Sequence, residues 1–310
     1  MEIILDILYL FVAAYTLYFL ALALRNLNDT SFKREKRYSQ YEEKDNLAVV
    51  IYSHNNKRTL ENLVRELKMQ DYPINNFKVF AILDNCSDGS QELFVNDSFV
   101  HVIDVKGVGT IGKDQAISIL LEQLSHDGLI DSYVFIDGDR SIAPDFLTTV
   151  NAALSKAHVI SGETIIDMKN LGPVDRVKAA YQKYHMNFIR KARSLFGLAS
   201  QADSGVFIIK QEIVKQIGDV DFKDINTELK YSLLLSKIKF KCTYNPNIQT
   251  VVDSANYIFR KPRLSYRLNL FKNCIPELFS TNFTFTEHAL SLLYPNIWLV
   301  LIIYFAVLKH

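Results

Sequence analysis

The sequence predicts an α/β fold built on a mostly parallel sheet, and three observations support that prediction. Short apolar runs alternate with segments of helical periodicity through the middle of the 310-residue chain. This alternation indicates βαβ units, whose strands run parallel. Polar and acidic loops follow three of the apolar runs, where parallel sheets bind their ligands. Both ends of the chain are strongly apolar, which predicts a membrane helix at each end.

The N-terminal stretch from Ile7 to Leu24 contains 18 consecutive residues without a charge. A helix of about 20 apolar residues crosses a bilayer core. The residues before it are acidic rather than basic, so the stretch does not resemble a cleaved signal peptide. A buried soluble helix is the alternative, but every face here is apolar. We therefore predict an uncleaved transmembrane anchor over residues 1–25.

Basic residues follow this anchor closely, at Arg25, Lys33, Arg34, Lys36 and Arg37. Positively charged flanks stay on the inner side of a membrane. The prediction is a protein of the cell membrane whose main domain faces the cytoplasm.

A second charge-free stretch of 20 residues, Ala289 to Leu308, lies at the C-terminus and contains Pro295. Proline kinks a helix or delays its start, so this membrane segment, predicted over residues 287–310, either spans the bilayer or inserts in part. The preceding segment, 258–286, combines basic and apolar residues. That composition predicts an amphipathic segment lying on anionic lipid.

The main domain is predicted over residues 47–257, and its first half is the most regular part of the sequence. The predicted strands are short apolar runs at 47–51, 77–83, 99–105 and 133–136. The predicted helices are 59–70, which stops at Asp71-Tyr72-Pro73, a second one beginning at 90–94, and 113–124.

Composition excludes several classes of function. The formal net charge of +1 gives no reason to expect nucleic-acid binding. The three cysteines, Cys86, Cys242 and Cys274, are far apart in the sequence, so they predict neither a disulfide framework nor a zinc site.

Asp137 and Asp139 directly follow the strand predicted at 133–136. Two carboxylates one residue apart on a turn suit a hard cation such as Mg²⁺ or Mn²⁺, which often shares its ligands with substrate phosphates. Such a cation neutralises the charge on a diphosphate leaving group. A solvated turn is the alternative, but the position after a buried strand favours a metal site.

Asp84 and Lys113 lie in two other loops near the same predicted edge. Asp84 ends a predicted strand within LDNCSDGS, where it is either a turn residue or an acceptor for a nucleobase N–H. Lys113 begins a predicted helix, although the helix dipole favours anions there. A phosphate would explain its position, and a solvated lysine is the alternative.

The stretch from Ala48 to Asp253 resembles the glycosyltransferase family 2 domain. Four segments carry the resemblance, in the family's order and spacing: VVIYSHNNKRTLENLVRELKMQDYP, AILDNCSDGS, GKDQAISILL and VFIDGDRSIAPDFL. They resemble the family's opening strand and helix, its uracil-contacting stretch, its G-K-x-x-A-L-N helix and its metal-binding D-x-D strand.

The resemblance implies a Rossmann-like A-type glycosyltransferase fold with one nucleotide-sugar site. It also implies a UDP-sugar or similar donor, inverting transfer, and Mg²⁺ or Mn²⁺ as cofactor. Carried over by position, Ser53 and Asp84 would contact the nucleoside, and Lys113 would lie near the donor. Asp137 and Asp139 would hold the ribose, the diphosphate and the metal.

The sequence departs from the family pattern at the general base. The family has an Asp in a Glu-Asp pair before a helix, but neither alignment of DINTELKYSLLLSK supplies it. Glu228 and Asp224 lie nearby, and either one is a candidate to accept the acceptor's proton. The segment ADSGVFIIK resembles the acceptor-side loop, which implies acceptor contacts for Asp203 and Gly205 and makes Asp203 a third candidate base.

The leading hypothesis is an inverting glycosyltransferase that makes a cell-surface polysaccharide or glycoconjugate. Its expected partners are a nucleotide-sugar, a glycan or lipid-linked acceptor, membrane lipids, and other subunits of a homo- or hetero-oligomer. The alternative is a catalytically degenerate scaffold subunit of a membrane complex, because the base and the family's Q-x-x-R-W segment are missing. A sugar-nucleotidyltransferase would need a glycine-rich loop after the first strand, and residues 52–58 contain no glycine.

Overall fold

The computed structural model describes residues 2–27, 44–107, 109–124, 128–200, 205–217, 227–253, 264–279 and 282–293. Within these ranges, eight strands form one sheet in the order β3-β2-β1-β4-β7-β6-β8-β5. The strands are β1 Leu47–Ser53, β2 Phe77–Asp84, β3 Val100–Val105, β4 Ser132–Asp137, β5 Arg140–Ile142, β6 Val159–Ile166, β7 Val206–Lys210 and β8 Thr243–Val252. The α-helices are α1 Glu2–Leu27, α2 Lys57–Lys68, α3 Lys113–Leu124, α4 Phe146–Leu154, α5 Pro173–Tyr184, α6 Lys191–Leu195, α7 Gln211–Ile217, α8 Thr227–Lys237, α9 Leu264–Cys274 and α10 Phe283–Ser291.

The first half of the sheet is parallel, as predicted. β1 pairs with β2 and β4, and β2 pairs with β3, all in parallel. In this register Tyr52 lies opposite Asp137, and Ser53 lies opposite Leu83. The carboxyl ends of β1, β2 and β4 therefore meet at one edge of the sheet.

The second half of the sheet is mixed, so the prediction of a mostly parallel sheet is wrong there. β7 runs antiparallel to both β4 and β6, and β5 runs antiparallel to β8, whereas β6 and β8 are parallel. An apolar run such as Val206–Lys210 indicates burial but does not encode strand direction. Direction depends on the connections that precede each strand.

Apolar layers cover both faces of the sheet, and β1 contributes to both because successive side chains alternate. Val49 and Ile51 pack with Leu63 of α2 and its apolar neighbours. Ala48 and Val50 pack on the other face with a cluster that includes side chains from α3 and α8. Burying one leucine in this way stabilises the fold by about 1.5–3 kcal/mol.

The helices outside these two layers pack in three groups: α5 contacts the ends of β6 and β8, α9 and α10 pack beside α8, and α1 packs on α6. A π-helical turn, His185–Arg190, joins α5 to α6. α1 packs along this turn and α6: the Arg25 guanidinium donates to the Leu195 carbonyl at 3.2 and 3.3 Å, and Asn26 donates to the Phe188 carbonyl at 2.9 Å. Arg193 of α6 donates to the Tyr18 hydroxyl at 3.0 Å and so ties the two helices together.

In the part of the chain that the structure describes, no helix is long and apolar enough to cross a membrane. The predicted anchor over residues 1–25 falls on α1, and a membrane span there is not confirmed. The predicted C-terminal segment lies outside the described residues from position 294 onward. α9 and the first four residues of α10 fall within the stretch predicted to be interfacial.

Candidate active site

Asp84 lies at the end of β2 with a fully buried side chain. Its carboxylate accepts three hydrogen bonds from neutral donors: the backbone N–H of Ile111 at 3.1 Å, that of Gly112 at 2.9 Å, and the Tyr52 hydroxyl at 2.8 Å. The carboxylate thus ties the ends of β1 and β2 to the loop that precedes α3. Because Lys113 follows Gly112, this loop also fixes where the lysine begins α3.

Tyr52 is held as a hydrogen-bond donor in this arrangement. Burial raises the pKa of its hydroxyl well above the usual range, and the hydrogen bond to Asp84 and the charges of Asp84 and Asp137 raise that pKa further. The hydroxyl therefore stays protonated at neutral pH. Tyr52 donates to Asp84 and lies opposite Asp137 in the sheet register, so the two carboxylates share one edge of the sheet.

The acidic turn consists of Asp137, Gly138 and Asp139. The Gly138 N–H donates to the Tyr52 carbonyl at 2.8 Å, which extends the contact between β1 and β4 into the turn. A Cβ atom at Gly138 would lie 2.8 Å from the Ser53 Cβ and 3.1 Å from the Tyr52 carbonyl oxygen. Only glycine fits between the two acidic residues without displacing Ser53, whose own hydroxyl is buried without a hydrogen-bond partner.

Both carboxylates of the acidic turn face cations. Lys113 Nζ donates to Asp137 Oδ1 at 2.6 Å, and Arg140 Nη2 donates to Asp137 Oδ2 at 3.3 Å. Arg140 Nε lies 3.0 Å from Asp139 Oδ1. That last contact is electrostatic only, because neither atom makes an aligned hydrogen bond although both are buried.

The four charged side chains are all largely shielded from solvent: the exposed fraction is 11% for Arg140, 19% for each Asp and 21% for Lys113. Burial raises the pKa of Asp139, while the charges of Arg140 and Lys113 oppose the rise. The structure thus brings Ser53, Lys113, Asp137 and Asp139 together, with Asp84 reached through Tyr52. Arg140 was not among the predicted site residues, although its position directly after two carboxylates could have indicated its contacts.

The residues predicted for acceptor binding and for the general base are only partly described. Gly205 is buried beside Arg140: a Cβ there would lie 3.6 Å from Arg140 Cζ and would collide with the Thr164 hydroxyl. Glu228 lies in the first turn of α8, and nothing is described of its side chain. Asp203 and Asp224 lie outside the described residues.

Asp137 and Asp139 are the residues that could hold a divalent cation at this site. In the described ranges, no group of three or more His, Cys, Asp or Glu side chains forms a metal cluster. Mg²⁺ nevertheless binds through one or two carboxylates when substrate phosphates supply further oxygens. Asp139 Oδ1, buried and without a hydrogen bond, is an acceptor that such a cation would satisfy, so the residues fit a metal shared with a diphosphate.

A scan against protein families matches residues 48–218 to the model described as "Glycosyl transferase family 2", which is more than half of the chain. The matched range begins in β1 and ends just after α7. It contains the site residues described above, which are Ser53, Asp84, Lys113, Asp137, Asp139 and Arg140. No protein with a curated function matches the sequence.

Many solved structures resemble the fold, among them two in complex with a nucleotide-sugar. The mannosyltransferase PcManGT from Pyrobaculum calidifontis, in complex with GDP-Man and Mn²⁺, aligns with a TM-score of 0.63 at 16% identity over 99% of this chain and 86% of that one. S. aureus TarS 1-349, in complex with UDP-GlcNAc, aligns with a TM-score of 0.53 at 12% identity over 78% of this chain and 69% of that one. At these identities the likeness shows the fold alone.

Proposed function

The chain belongs to glycosyl transferase family 2, and on that premise we propose that it transfers a sugar, with inversion, from a nucleotide-sugar to a glycan or lipid-linked acceptor. The product would be a cell-surface polysaccharide or glycoconjugate. A UDP-sugar is the first donor to test. The structures that resemble this fold were solved with GDP-Man and with UDP-GlcNAc, so GDP-sugars are tested beside it.

The observation that carries the proposal is the group formed by Lys113, Asp137, Asp139 and Arg140 at the end of β4. It combines two cationic side chains for phosphate oxygens with two carboxylates for a metal. It lies at the carboxyl edge of the parallel strands, where nucleotide ligands bind in α/β sheets. A solvated turn would not shield four charges to this degree.

The chain's own residues would act as follows. The Lys113 ammonium moves from Asp137 to the diphosphate and binds the donor. Asp137 and Asp139 would hold the divalent cation, which neutralises the charge that develops on the leaving diphosphate. Ser53 and Asp84 lie on the side of the edge assigned to the nucleoside. Asp84 is fully buried, so it reaches a nucleoside only if the loop before Lys113 moves.

Bond formation requires a base on the acceptor side. The acceptor oxygen attacks the anomeric carbon, the bond from that carbon to the diphosphate oxygen breaks on the opposite face, and the hydroxyl proton passes to a carboxylate. Glu228 is our first candidate for that carboxylate, because it lies beside the position where the family has its Glu-Asp pair, in the first turn of α8. Asp224 and Asp203 are the other two candidates, and Gly205 lies on the acceptor side.

The decisive assay measures nucleotide diphosphate release from a panel of UDP- and GDP-sugars with Mn²⁺. We expect release with one donor, and loss of both donor binding and release in Asp139→Ala. Asp175→Ala is the matched control, because Asp175 is a half-exposed carboxylate on α5 that pairs only with Lys178 in the ion pairs described. Release by Asp139→Ala at the wild-type rate would refute the metal assignment.

A second candidate function is a scaffold subunit that keeps the fold without turnover. The mutual neutralisation of Asp137 and Asp139 by Lys113 and Arg140 favours it, because the edge is electrostatically satisfied without a ligand. It predicts that no donor is turned over and that neither Glu228→Ala nor Asp224→Ala changes any measured property. Release of nucleotide by the wild type, abolished in Glu228→Gln, would reject it.

We also propose that the protein acts at the cell membrane with its catalytic domain in the cytoplasm. α1 buries Tyr15 and Leu22 against the rest of the molecule, whereas Leu10, Leu17 and Leu20 are more than half exposed. Exposed apolar side chains of this size on one helix suit contact with lipid. The basic residues that follow α1 in the sequence favour the cytoplasmic leaflet.

Flotation with vesicles that contain anionic lipid tests this part. The double substitution Leu17→Glu and Leu20→Glu should move the protein from the vesicle fraction to the soluble fraction. Val95→Glu is the control, because Val95 is 76% exposed and lies at the end of the 3₁₀ turn after β2. Equal flotation of the double variant and the control would contradict membrane contact through α1.

A further inference from the structure

The proposed reaction uses Arg140 as a cation for phosphate oxygens but does not explain why its side chain contacts both Asp137 and Asp139. Arg140 directly follows the acidic turn as the first residue of β5, where it pairs with Val252 of β8. From there its guanidinium reaches both carboxylates of the turn, Asp137 at 3.3 Å and Asp139 at 3.0 Å. A Cβ built on Gly205 would lie 3.6 Å from the guanidinium carbon, so Gly205 lies next to the guanidinium.

Among the described residues, the formal charges of Asp137 and Asp139 are cancelled by those of Lys113 and Arg140. Two carboxylates face one ammonium and one guanidinium, and all four groups are largely shielded from water. A divalent cation that arrived alone would add two positive charges beside Lys113 and Arg140, in a region where Coulomb repulsion is stronger than in bulk water. The diphosphate of a nucleotide-sugar that arrived alone would add one negative charge on each of its two phosphates. Only the pair leaves the edge neutral.

The contact between Arg140 and Asp139 suits exchange. Arg140 Nε and Asp139 Oδ1 are close but are not aligned for a hydrogen bond, and neither atom has another hydrogen-bond partner. The planar guanidinium binds phosphate oxygens through two parallel hydrogen bonds. When a diphosphate is present, its oxygens are better acceptors for the guanidinium. Asp139 Oδ1 is then free to bind a metal.

We propose that Arg140 closes the acidic turn to free divalent cations, so that a metal ion enters only together with a nucleotide diphosphate. This proposal rests on the proposed function, because it assumes that metal and donor share the edge. Arg140 acts as a positioning residue that sets the order of binding. Arg140 stays paired with the two carboxylates until the donor supplies phosphate oxygens, which replace the carboxylates as its partners.

The test measures Mn²⁺ binding to the full chain by the electron paramagnetic resonance signal of free Mn²⁺, at constant ionic strength and without nucleotide. Arg140→Gln removes the charge and should bind Mn²⁺ on the order of tenfold more tightly than the wild type. Arg176→Gln is the matched control, since Arg176 is an exposed arginine on α5, and it should bind Mn²⁺ like the wild type.

A second measurement uses equilibrium dialysis of UDP and of GDP with and without Mn²⁺. In the wild type, Mn²⁺ should raise the affinity for one of these nucleotides on the order of tenfold or more. In Arg140→Gln, this enhancement should shrink toward one. If Arg140→Gln does not fold, the wild type alone decides, because equal nucleotide affinity with and without Mn²⁺ would overturn the proposal.

Unchanged Mn²⁺ affinity in a folded Arg140→Gln protein would also overturn it and would leave Arg140 as a residue that only anchors β5. Neither measurement needs turnover. A protein that binds nucleotide and Mn²⁺ cooperatively but releases no product would reject the proposed enzyme and leave the role of Arg140 standing.

Discussion

Two acidic groups at the same edge of the sheet are stabilised in opposite ways. Asp84 is fully buried and accepts three hydrogen bonds, all from neutral donors of the fold itself. Asp137 and Asp139 are slightly exposed and face Lys113 and Arg140, two long side chains whose charged ends can move. The two groups are joined through Tyr52, which donates to Asp84 and whose carbonyl accepts from Gly138.

This difference suggests that Asp84 stabilises the fold, whereas Asp137 and Asp139 are available for binding and catalysis. A carboxylate held by backbone N–H groups cannot lose those partners unless the chain moves, so Asp84 fixes the loop before α3. A carboxylate held by flexible cations can exchange them for a metal and a phosphate at little cost to the fold. We therefore expect substitutions of Asp84 to change stability first and substitutions in the acidic turn to change activity first.

The largest expected effect is on activity, in Asp139→Asn. The variant keeps the shape of the side chain but loses the charge, so we expect turnover to fall by roughly 100-fold or more, the scale reported for removing one group that stabilises transition-state charge. The free energy of unfolding should change by less than about 1 kcal/mol, since burial already disfavours the charged form. Enzyme kinetics measure the turnover, and urea unfolding of the same preparation measures the free energy of unfolding. Activity within threefold of wild type would contradict the view that the acidic turn serves activity first.

Asp84→Asn should show the reverse pattern. An amide offers one oxygen where the carboxylate offered two, so either Ile111 or Gly112 loses the acceptor of its partly buried N–H. Leaving such a group unsatisfied costs about 1–3 kcal/mol in the free energy of unfolding. Urea unfolding measures it, with the half-exposed Asp175→Asn as the matched control, which should lie within about 0.5 kcal/mol of wild type. An equally stable Asp84→Asn protein with lost activity would show that Asp84 belongs to the exchangeable group instead.

The sequence predicts the parallel half of the fold well because its signals are local. The helix expected at 113–124 is found over Lys113–Leu124, and the strand expected at 77–83 is found over Phe77–Asp84. Each of these runs is bounded by polar turns, so the apolar periodicity and the turn residues indicate the same start and end for each element. Lys113 could be predicted as a site residue for the same reason, since it begins a helix directly after Gly112.

The other half depends on contacts that are distant in the sequence. Nothing local shows that β7 runs antiparallel to β4, and periodicity does not tell what covers an apolar helix such as α1. The pairing of Lys113 with Asp137 joins two loops that only the sheet brings together. Arg140 is different, because its position directly after the two carboxylates could have indicated its contacts.

Gly138→Ala tests the link between the two groups. The added methyl would lie 2.8 Å from the Ser53 Cβ, so either the end of β1 or the acidic turn has to shift. Overpacking of this kind typically costs about 1–3 kcal/mol in the free energy of unfolding. We expect about 2 kcal/mol together with a roughly tenfold loss of activity, because a displaced turn misplaces both carboxylates. Gly172→Ala is the control, since a Cβ there meets no atom within 4 Å, and it should match wild type in activity.

The smallest main effect on activity or stability is expected for Tyr52→Phe, and the direction in which it changes nucleotide affinity distinguishes two roles of Asp84. The variant removes one of three donors to Asp84 and should lower the free energy of unfolding by about 1.5 kcal/mol, the lower range for a hydrogen bond to a charged group. If Asp84 serves only the architecture, the affinity for UDP or GDP with Mn²⁺ stays within about twofold of wild type. If Asp84 also contacts the nucleoside, as its sequence context predicts, loss of the competing hydroxyl frees an acceptor, and nucleotide affinity rises while stability falls. Equilibrium dialysis beside urea unfolding separates the two outcomes, and a loss of nucleotide affinity without a loss of stability would contradict both accounts of Asp84.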